Sequence, residues 1–181
     1  MIWWIIGLAI FIALIFVVYY NRFIILGNRI DNSLSQIDVQ LKKRADLVPN
    51  LISSVKGYAK HEKGIMKDVT DARKAFMSAK TFEGKVKAGA ELQNALRSIL
   101  AIAENYPQLR ANENFLQLQQ ELAAIEDKVA YSMQYYNDSI LGYNNLTKKF
   151  PGMLFASIYG KKAKKYFEIP AEERSVPKVN F

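Results

Sequence analysis

The sequence contains one histidine, His61, which is the first candidate for a metal ligand or a catalytic residue. His61 is followed directly by Glu62, and the chain has no second histidine. A zinc-protease helix needs two histidines at a fixed spacing, and a di-iron bundle needs Glu-x-x-His on two helices. The chain also has no cysteine, which excludes thiolate metal sites. The sequence therefore predicts no metal site and no cofactor, with His61 as a surface residue.

Two aspartates are candidates for a pair of catalytic acids. Asp31 and Asp38 are seven residues apart and share one face of a helix. Nothing around them suggests desolvation, so a solvated acidic stripe is a better interpretation than an acid–base pair. The sequence has no G-x-S-x-G and no Walker-type loop. We therefore predict no catalytic residue and expect a protein that is not an enzyme.

Two asparagines repeat at helical spacing near the end of the apolar pattern. Asn137 and Asn144 are seven residues apart, and each follows a tyrosine. This spacing predicts a polar edge beside the core, with hydrogen bonds to a neighbouring helix. A buried asparagine can fix the register between helices, so a helix-packing or oligomer contact is expected. A binding groove is the alternative interpretation.

Four lysines follow the last apolar stretch and stand between aromatic residues. This mixture suits contact with the head groups of anionic lipids, and a solvated loop is the alternative. The net charge of +8 also raises the question of nucleic acid, but no recognised nucleic-acid-binding fold accompanies the cluster. We therefore predict anionic membrane lipid, and no nucleic acid, as a partner. The cluster comprises Lys161, Lys162, Lys164 and Lys165.

The N-terminal segment has the composition of a membrane-spanning helix. Residues 2–20 carry no charged side chain, and a helix of this length spans about 28 Å, close to the bilayer core of about 30 Å. No basic n-region precedes the run and no small-x-small cleavage site follows it, which favours an uncleaved anchor over a signal peptide. The residues expected at the membrane surface are Trp3, Trp4, Tyr19, Tyr20 and Arg22.

Basic residues on the C-terminal side of this run predict the orientation of the protein. By the positive-inside rule, the N-terminus is outside and the domain is cytoplasmic. We therefore expect a single-pass protein of the cell membrane, meaning the inner or plasma membrane. The basic residues are Arg22, Arg29, Lys42, Lys43 and Arg44.

Beyond the anchor, apolar residues recur in alternating steps of four and three, the pattern of a helix buried along one seam. The seam keeps its phase across Pro49, which favours a kinked helix running to about Glu62 over a stop with a new cap at Asp46. Gly64 is the expected stop after this helix. The seam comprises Ile30, Leu34, Ile37, Leu41, Val48, Leu51, Val55 and Tyr58, with Arg44 as its one interruption.

Three more helices are predicted, at about residues 65–79, 85–104 and 112–150, with Thr81 and Asn112 as N-caps. No β pattern exceeds a few residues. The predicted fold is all-α: an N-terminal transmembrane helix that continues into an up-and-down four-helix bundle with long first and fourth helices. The residues predicted to be buried in the bundle include Leu41, Leu51, Leu96, Leu122 and Ile125.

We divide the chain into a transmembrane anchor (1–20), a helical-bundle domain (21–150) and a basic, aromatic tail (151–181). Up-and-down topology returns the end of the fourth helix, and with it the lysine cluster, to the membrane side. The two long helices are expected to project beyond the short pair and to leave apolar seam uncovered. That surface would allow self-association. Its predicted residues are Ile30, Leu34, Ile37 and Leu41, together with Asn137 and Asn144.

Long stretches of the sequence resemble the LemA family. The most specific is Asp31-Asn32-Ser33 followed by QIDVQLKKRADLVPNLISSVKGYAKHEK at residues 36–63. The chain departs from the family pattern at residues 125–128, where similar chains usually read Glu-Asn-Arg, and at residues 159–161, where many read Phe-Gly-Phe. Further matching stretches lie at residues 106–122, 136–144, 150–152, 166–168 and 176–179.

The resemblance covers nearly the whole chain and implies a bacterial protein with one membrane helix, a helical-bundle domain and no established catalytic site. Some relatives are linked to making or shaping internal membranes. We therefore expect a non-enzymatic, membrane-anchored scaffold that forms homo-oligomers and organises or shapes membrane or membrane proteins. The alternative is a regulatory adaptor that binds a membrane protease or a sensor partner.

Overall fold

A computed structural model describes residues 1–167 of the chain. Within these residues there are helices and turns but no strand, which confirms the all-α class. Residues 168–181, the second half of the predicted tail, lie outside the described part. The helices are α1 (Ile2–Lys56), α2 (Lys63–Ser78), α3 (Phe82–Ile102), α4 (Pro107–Arg110), α5 (Glu113–Lys148) and α6 (Gly152–Ile158), with a 3-10 turn at Ala103–Asn105. The short helices α4 and α6 were not predicted.

Helix α1 continues through Pro49, as the phase of the seam predicted. Proline has no N–H group, so it cannot donate to the carbonyl of Ala45 one turn earlier. That carbonyl instead accepts a hydrogen bond from Nε of Arg73 on α2, at 2.8 Å. A side chain from another helix therefore satisfies the polar group that the proline leaves without its usual partner.

The end of α1 differs from the prediction. The helix ends at Lys56, just before Gly57, and not near Glu62. Gly64, the expected stop, lies inside α2. Gly64 is the second residue of α2, where the cost of about 1 kcal/mol that glycine has in a helix interior does not apply in full, and the turns that follow bury Met66 and Val69.

Both predicted N-caps are confirmed. The Thr81 hydroxyl accepts a hydrogen bond from the N–H of Gly84 at 3.1 Å, at the start of α3. Oδ1 of Asn112 accepts from the N–H of Phe115 at 3.0 Å, at the start of α5. Caps of this kind stabilise a helix by about 1 kcal/mol each and fix where it begins.

The chain divides into two compact units. Residues 35–132 form one, which we call the bundle unit. Residues 1–34 together with those from 133 onward form the other, which we call the anchor unit. Helices α1 and α5 contribute to both, whereas α2, α3 and α4 belong to the bundle unit and α6 belongs to the anchor unit.

The bundle unit has an aliphatic core. Four of the five positions predicted to be buried there are buried, and Ile125 is half-buried. On α1 the seam supplies most of the buried side chains, although Tyr58 at its end is exposed. The other helices complete the core with Val69, Phe76, Leu92, Leu96, Ile99, Leu109, Phe115, Leu122 and Val129.

The anchor unit has a smaller core, in which half of the buried side chains are aromatic. Its sharpest turn joins α5 to α6 at Gly152, where a Cβ atom would lie 2.3 Å from the carbonyl oxygen of Leu146. Only glycine fits there, so the turn brings α6 back against α1. The buried residues are Phe23, Ile30, Ile140, Tyr143, Phe155 and Ala156.

Candidate functional site

The first turns of α1 present an apolar surface that the other residues of the described range 1–167 do not cover. Among the described residues, α1 is the one helix long and apolar enough to cross a membrane, and its most apolar window is 0% buried. Trp3 and Trp4 are 82% and 85% exposed. The distribution of side chains therefore matches a helix whose surroundings are lipid.

Helix α6 packs against the last turns of this apolar run. The ring of Phe155 stacks on Tyr19, with centroids 4.3 Å apart, and meets the edge of Phe16 at 5.0 Å. The hydroxyl of Tyr159 donates a hydrogen bond to the carbonyl of Phe16 at 2.8 Å. The apolar stretch after Pro151 is therefore a helix fixed at the C-terminal end of the apolar run.

The other side of α6 remains apolar and exposed. Phe150, just before the turn, is 78% exposed, and three side chains of α6 are between 49% and 62% exposed. We call this surface the α6 apolar face. It belongs to the same compact unit as the exposed apolar run of α1. The α6 apolar face consists of Phe150, Met153, Leu154 and Ile158.

The two predicted asparagines hold the chain that follows α6. Asn144 donates from Nδ2 to the carbonyl of Lys164 and accepts from the N–H of Lys164, both at 2.8 Å. Asn137 makes the same pair of bonds with Phe167, at 3.1 and 2.9 Å. Each amide thus satisfies both backbone groups of one residue. We call Asn137 and Asn144 the asparagine clamp.

The spacing of the clamp fits an extended chain. Seven helical residues rise about 10.5 Å, and three extended residues cover about 10 Å. The segment 161–167 therefore runs antiparallel to α5, with residue 164 at Asn144 and residue 167 at Asn137. The sequence predicted a polar edge with partners on a neighbouring helix. The hydrogen-bond partners are instead the backbone of the chain's own C-terminal segment.

The clamp sets the positions of the predicted lysine cluster. The N–H of Lys161 donates to the carbonyl of Ala156 at 2.8 Å, so the cluster begins directly at the end of α6. Nζ of Lys164 lies 5.5 Å from the ring centroid of Tyr143, within cation–π range. Burial raises the pKa of the Tyr143 hydroxyl, so the ring stays neutral. Lys162, Lys164 and Lys165 are exposed, and Lys161 is half-buried.

The seam positions proposed for self-association are occupied within the single chain. Ile30, Ile37 and Leu41 are at most 2% exposed, and Leu34 is half-buried. These side chains pack within the single chain, as a helix-packing role requires, and their part in self-association stays a prediction.

Arg44, the interruption of the seam, is also part of the core. Its side chain is 2% exposed, forms an ion pair with Glu126 of α5 and donates from Nη1 to the carbonyl of Gly89 on α3 at 3.1 Å. Nε has no hydrogen-bond partner among the described residues. Gly89 permits this contact because α3 approaches α1 closely there, with a Cβ position only 3.2 Å from a methyl group of Leu41.

The surroundings of this ion pair change its titration. Burial raises the pKa of the Glu126 carboxyl, although Arg44 acts in the opposite direction. Burial likewise lowers the pKa of the Arg44 guanidinium, which still remains charged because arginine titrates far above neutrality. Glu126 lies in the stretch that departs from the family pattern. The sequence alone gave no sign of its partner, since the two residues are 82 positions apart.

The candidate acids are not brought together as a pair. Asp38 accepts a hydrogen bond from Nζ of Lys85 at 2.6 Å, within the bundle unit, and Asp31 lies in the anchor unit. His61 is exposed. Within residues 1–167, no group of three or more histidine, cysteine, aspartate or glutamate side chains is arranged to hold a metal ion. The site that the structure builds is therefore one of contact surfaces.

Comparison with known proteins agrees with this architecture. The sequence matches the LemA family over residues 33–181, which is most of the chain. This chain belongs to the LemA family. The match begins directly after the apolar run and its flanking turns, and it includes α6, the asparagine clamp and segment 161–167.

Individual relatives are more distant. The magnetosome protein MamQ of Magnetospirillum gryphiswaldense is 26% identical over 184 residues, which cover 87% of this chain and 68% of MamQ. The magnetosome proteins MamQ 1 and MamQ 2 of Paramagnetospirillum magneticum are each 25% identical in an alignment of 175 residues. That alignment covers 82% of this chain. The chain spans 64% of the length of these two relatives, just under two thirds.

Proposed function

We propose that this LemA-family protein is a membrane-anchored helical scaffold that self-associates and organises or shapes the membrane in which it sits. The observation that carries the proposal is the anchor unit. An uncovered apolar run, the α6 apolar face and an exposed lysine segment meet in one compact unit. Such a combination of apolar and basic surface suits lipid better than any soluble substrate.

Lipid contact is proposed in two layers. The α6 apolar face would enter the boundary between head groups and acyl chains, at the depth where Tyr19 and Tyr20 end the apolar run. The lysine segment would lie beside anionic head groups, where each basic residue contributes about 1 kcal/mol. The clamp leads residues 164 and 167 progressively away from α6, so Lys161 and Lys162 would contribute more than Lys164 and Lys165.

The remaining finer features belong to the same proposal. The bundle unit would be the predicted up-and-down four-helix arrangement, and the N-terminus would face outward, with the domain that follows the apolar run in the cytoplasm. The relatives are named as magnetosome proteins. We propose that what this chain shares with them is a role at a membrane. Self-association would use exposed apolar side chains, since the seam on α1 is buried.

Particle size tests the scaffold against the adaptor. The full-length protein would be extracted in mild detergent, purified and measured by size-exclusion chromatography with multi-angle light scattering. The scaffold predicts homo-oligomers with a protein mass of many chains. A monomer or dimer that co-purifies with a different membrane protein would overturn the scaffold and favour the regulatory adaptor.

A further inference from the structure

A groove of about 490 Å³ lies within the anchor unit, between α1 and α5. Each helix lines it with residues at spacings of three, four and seven, which is one stripe of a helix face. The turn after α5 closes one end of the groove. The stripe on α1 includes Arg22, Ile25 and Leu26. The stripe on α5 includes Gly142 and Asn145 and continues to Lys149, directly after the helix.

Two cations line this groove without an anionic partner. Arg22 and Lys149 are both exposed, and neither forms an ion pair or a side-chain hydrogen bond with any residue of the described range 1–167. No acidic side chain of residues 1–167 lines the groove, whereas the amide of Asn145 does. One guanidinium, one ammonium and one amide therefore line the same space, with no acidic side chain among the described lining residues. Phosphate oxygens match this set of donors.

The rest of the wall is apolar and lies beside the membrane-spanning run. Ile25 is 58% exposed and Leu26 is half-buried, with Tyr19 and Phe150 completing the wall. Arg22 comes two residues after the apolar run, about 3 Å farther along the helix axis. A ligand with its charge at Arg22 would therefore have its apolar part at the level of the lipid tails.

We propose that this groove binds one anionic phospholipid, with the phosphate between Arg22 and Lys149 and an acyl chain that passes Tyr19 toward the apolar run of α1. This assignment names a specific lipid partner and rests on the proposed membrane role of the chain. It differs from the contact of the lysine segment, because a groove with its own walls retains an individual lipid molecule. The two cations favour an anionic head group, and the apolar wall at the end of the spanning run favours an acyl chain, so an anionic phospholipid fits both.

The chain offers matched variants for the test. Arg22→Gln with Lys149→Gln removes the two groove cations. Arg29→Gln with Lys148→Gln removes two exposed cations from the same two segments, outside the groove lining. Gly142→Leu keeps both cations and fills the space between the stripes. A Cβ atom at this position meets only Leu26, at 3.6 Å, so the branched side chain has room to extend into the groove.

The measurement is native mass spectrometry of the full-length protein released from detergent after incubation with phosphatidylglycerol or with phosphatidylcholine. We expect wild type to retain one phosphatidylglycerol per chain and little phosphatidylcholine. The groove double variant should bind it about tenfold to thirtyfold more weakly, as expected for the loss of two basic residues. The Gly142→Leu variant should also lose the bound lipid, and the control double variant should retain it.

Three results would overturn the assignment. Equal losses in the groove and control double variants would show general surface charge. Equal retention of phosphatidylcholine would show an apolar cleft with no preference for charge. Displacement of the lipid by glycerol phosphate at equal concentration would show a site for the free phosphate ester. The same spectra report the number of chains per particle, so a failure of self-association is read separately from a failure of lipid binding.

Discussion

The two units use the same pair of long helices with different chemistry. In the anchor unit, α1 meets α6 and the residue after it through aromatic rings, with Phe155 against Tyr19 and Tyr159 near Phe23, and two asparagines of α5 hold an extended chain. In the bundle unit, α1 and α5 pack aliphatic side chains, and charged groups connect the helices, as in Arg44–Glu126 and Lys85–Asp38. The difference fits the proposed contact of the anchor unit with lipid.

Aromatic and amide contacts suit a unit that borders lipid. Tyrosine combines an apolar body with a polar tip, so it stays favourable where one end is dry and the other is wet. Each asparagine of the clamp hydrogen-bonds both the N–H and the carbonyl of one residue, and its side chain is uncharged. Ion pairs between helices suit a unit in which one partner stays partly exposed, as Glu126 and Lys85 do, because a charge that reaches water is penalised less heavily.

The largest effect is expected from the aliphatic core of the bundle unit. Ile99 is fully buried, so Ile99→Ala should lower the free energy of unfolding by about 2–5 kcal/mol, through lost burial and the cavity left behind. Thermal unfolding of the full-length protein in detergent, followed by circular dichroism, measures it. Leu116→Ala is the control, since Leu116 is 42% exposed. Equal shifts in both variants would contradict the packing described for α3.

The next effect concerns the contact between Arg73 and the carbonyl left free by Pro49. Arg73→Met should cost about 1.5–3 kcal/mol, the contribution expected for a hydrogen bond with a charged donor. In a Pro49→Ala background the restored N–H of residue 49 takes over the carbonyl of Ala45, so the same substitution should cost far less. A double-mutant cycle on unfolding free energy measures this coupling. Additive effects would show that Arg73 acts independently of the proline.

A smaller and local effect is expected at the asparagine clamp. Asn144→Ala removes both hydrogen bonds to Lys164, so the N–H of Lys164 should exchange with solvent about tenfold faster or more. Hydrogen exchange with mass spectrometry over residues 161–167 measures it, with peptides from α3 as the internal control. Protection that is unchanged at residue 164 would mean that α6 alone holds the segment in place.

The smallest effect is a pH dependence at Glu126. Because burial raises its pKa in the folded protein, the folded state binds more protons than the unfolded state just above the ordinary glutamate value. The stability that Glu126 contributes is then complete below about pH 4.3 and declines as pH rises through the raised pKa. The stability difference between wild type and Glu126→Gln should therefore decrease as pH rises. An increase would mean that Arg44 outweighs burial.

The sequence predicted most of the helices because their signals are local. The four-three spacing, the caps at Thr81 and Asn112 and the phase across Pro49 depend on residues within a few turns of one another. The partners of Arg44, Arg73 and the asparagine clamp depend on contacts between distant parts of the chain, and no local pattern specifies them. Arg44 is the clearest example of what the sequence pattern misses. Its position on the seam indicated only an interruption, whereas in the fold its charge is buried and compensated by Glu126 and the carbonyl of Gly89.

Helix α6 shows a second limit. Its seven residues are too few for a helical period to be recognised, and its stability comes from aromatic contacts with α1. The lysine cluster was visible as composition, but its extended course was not, because that course is set by amides located 20 and 30 positions earlier. The surface proposed to contact lipid could therefore be recognised only from the positions of α6 and the asparagine clamp in the structure.

The central claim is that the anchor unit contacts lipid through the α6 apolar face, and spin labelling tests it most directly. The chain has no cysteine, so Leu154→Cys and Met77→Cys each introduce a single labelling site into the full-length protein. Both native side chains are about half exposed, at 52% and 51%, one on α6 and one on α2 of the bundle unit. In liposomes containing phosphatidylglycerol, we predict that the label at residue 154 collides with oxygen, which concentrates in lipid, more than with a water-soluble nickel complex. The label at residue 77 should show the reverse. Equal preference for the nickel complex at both positions would contradict membrane contact by α6.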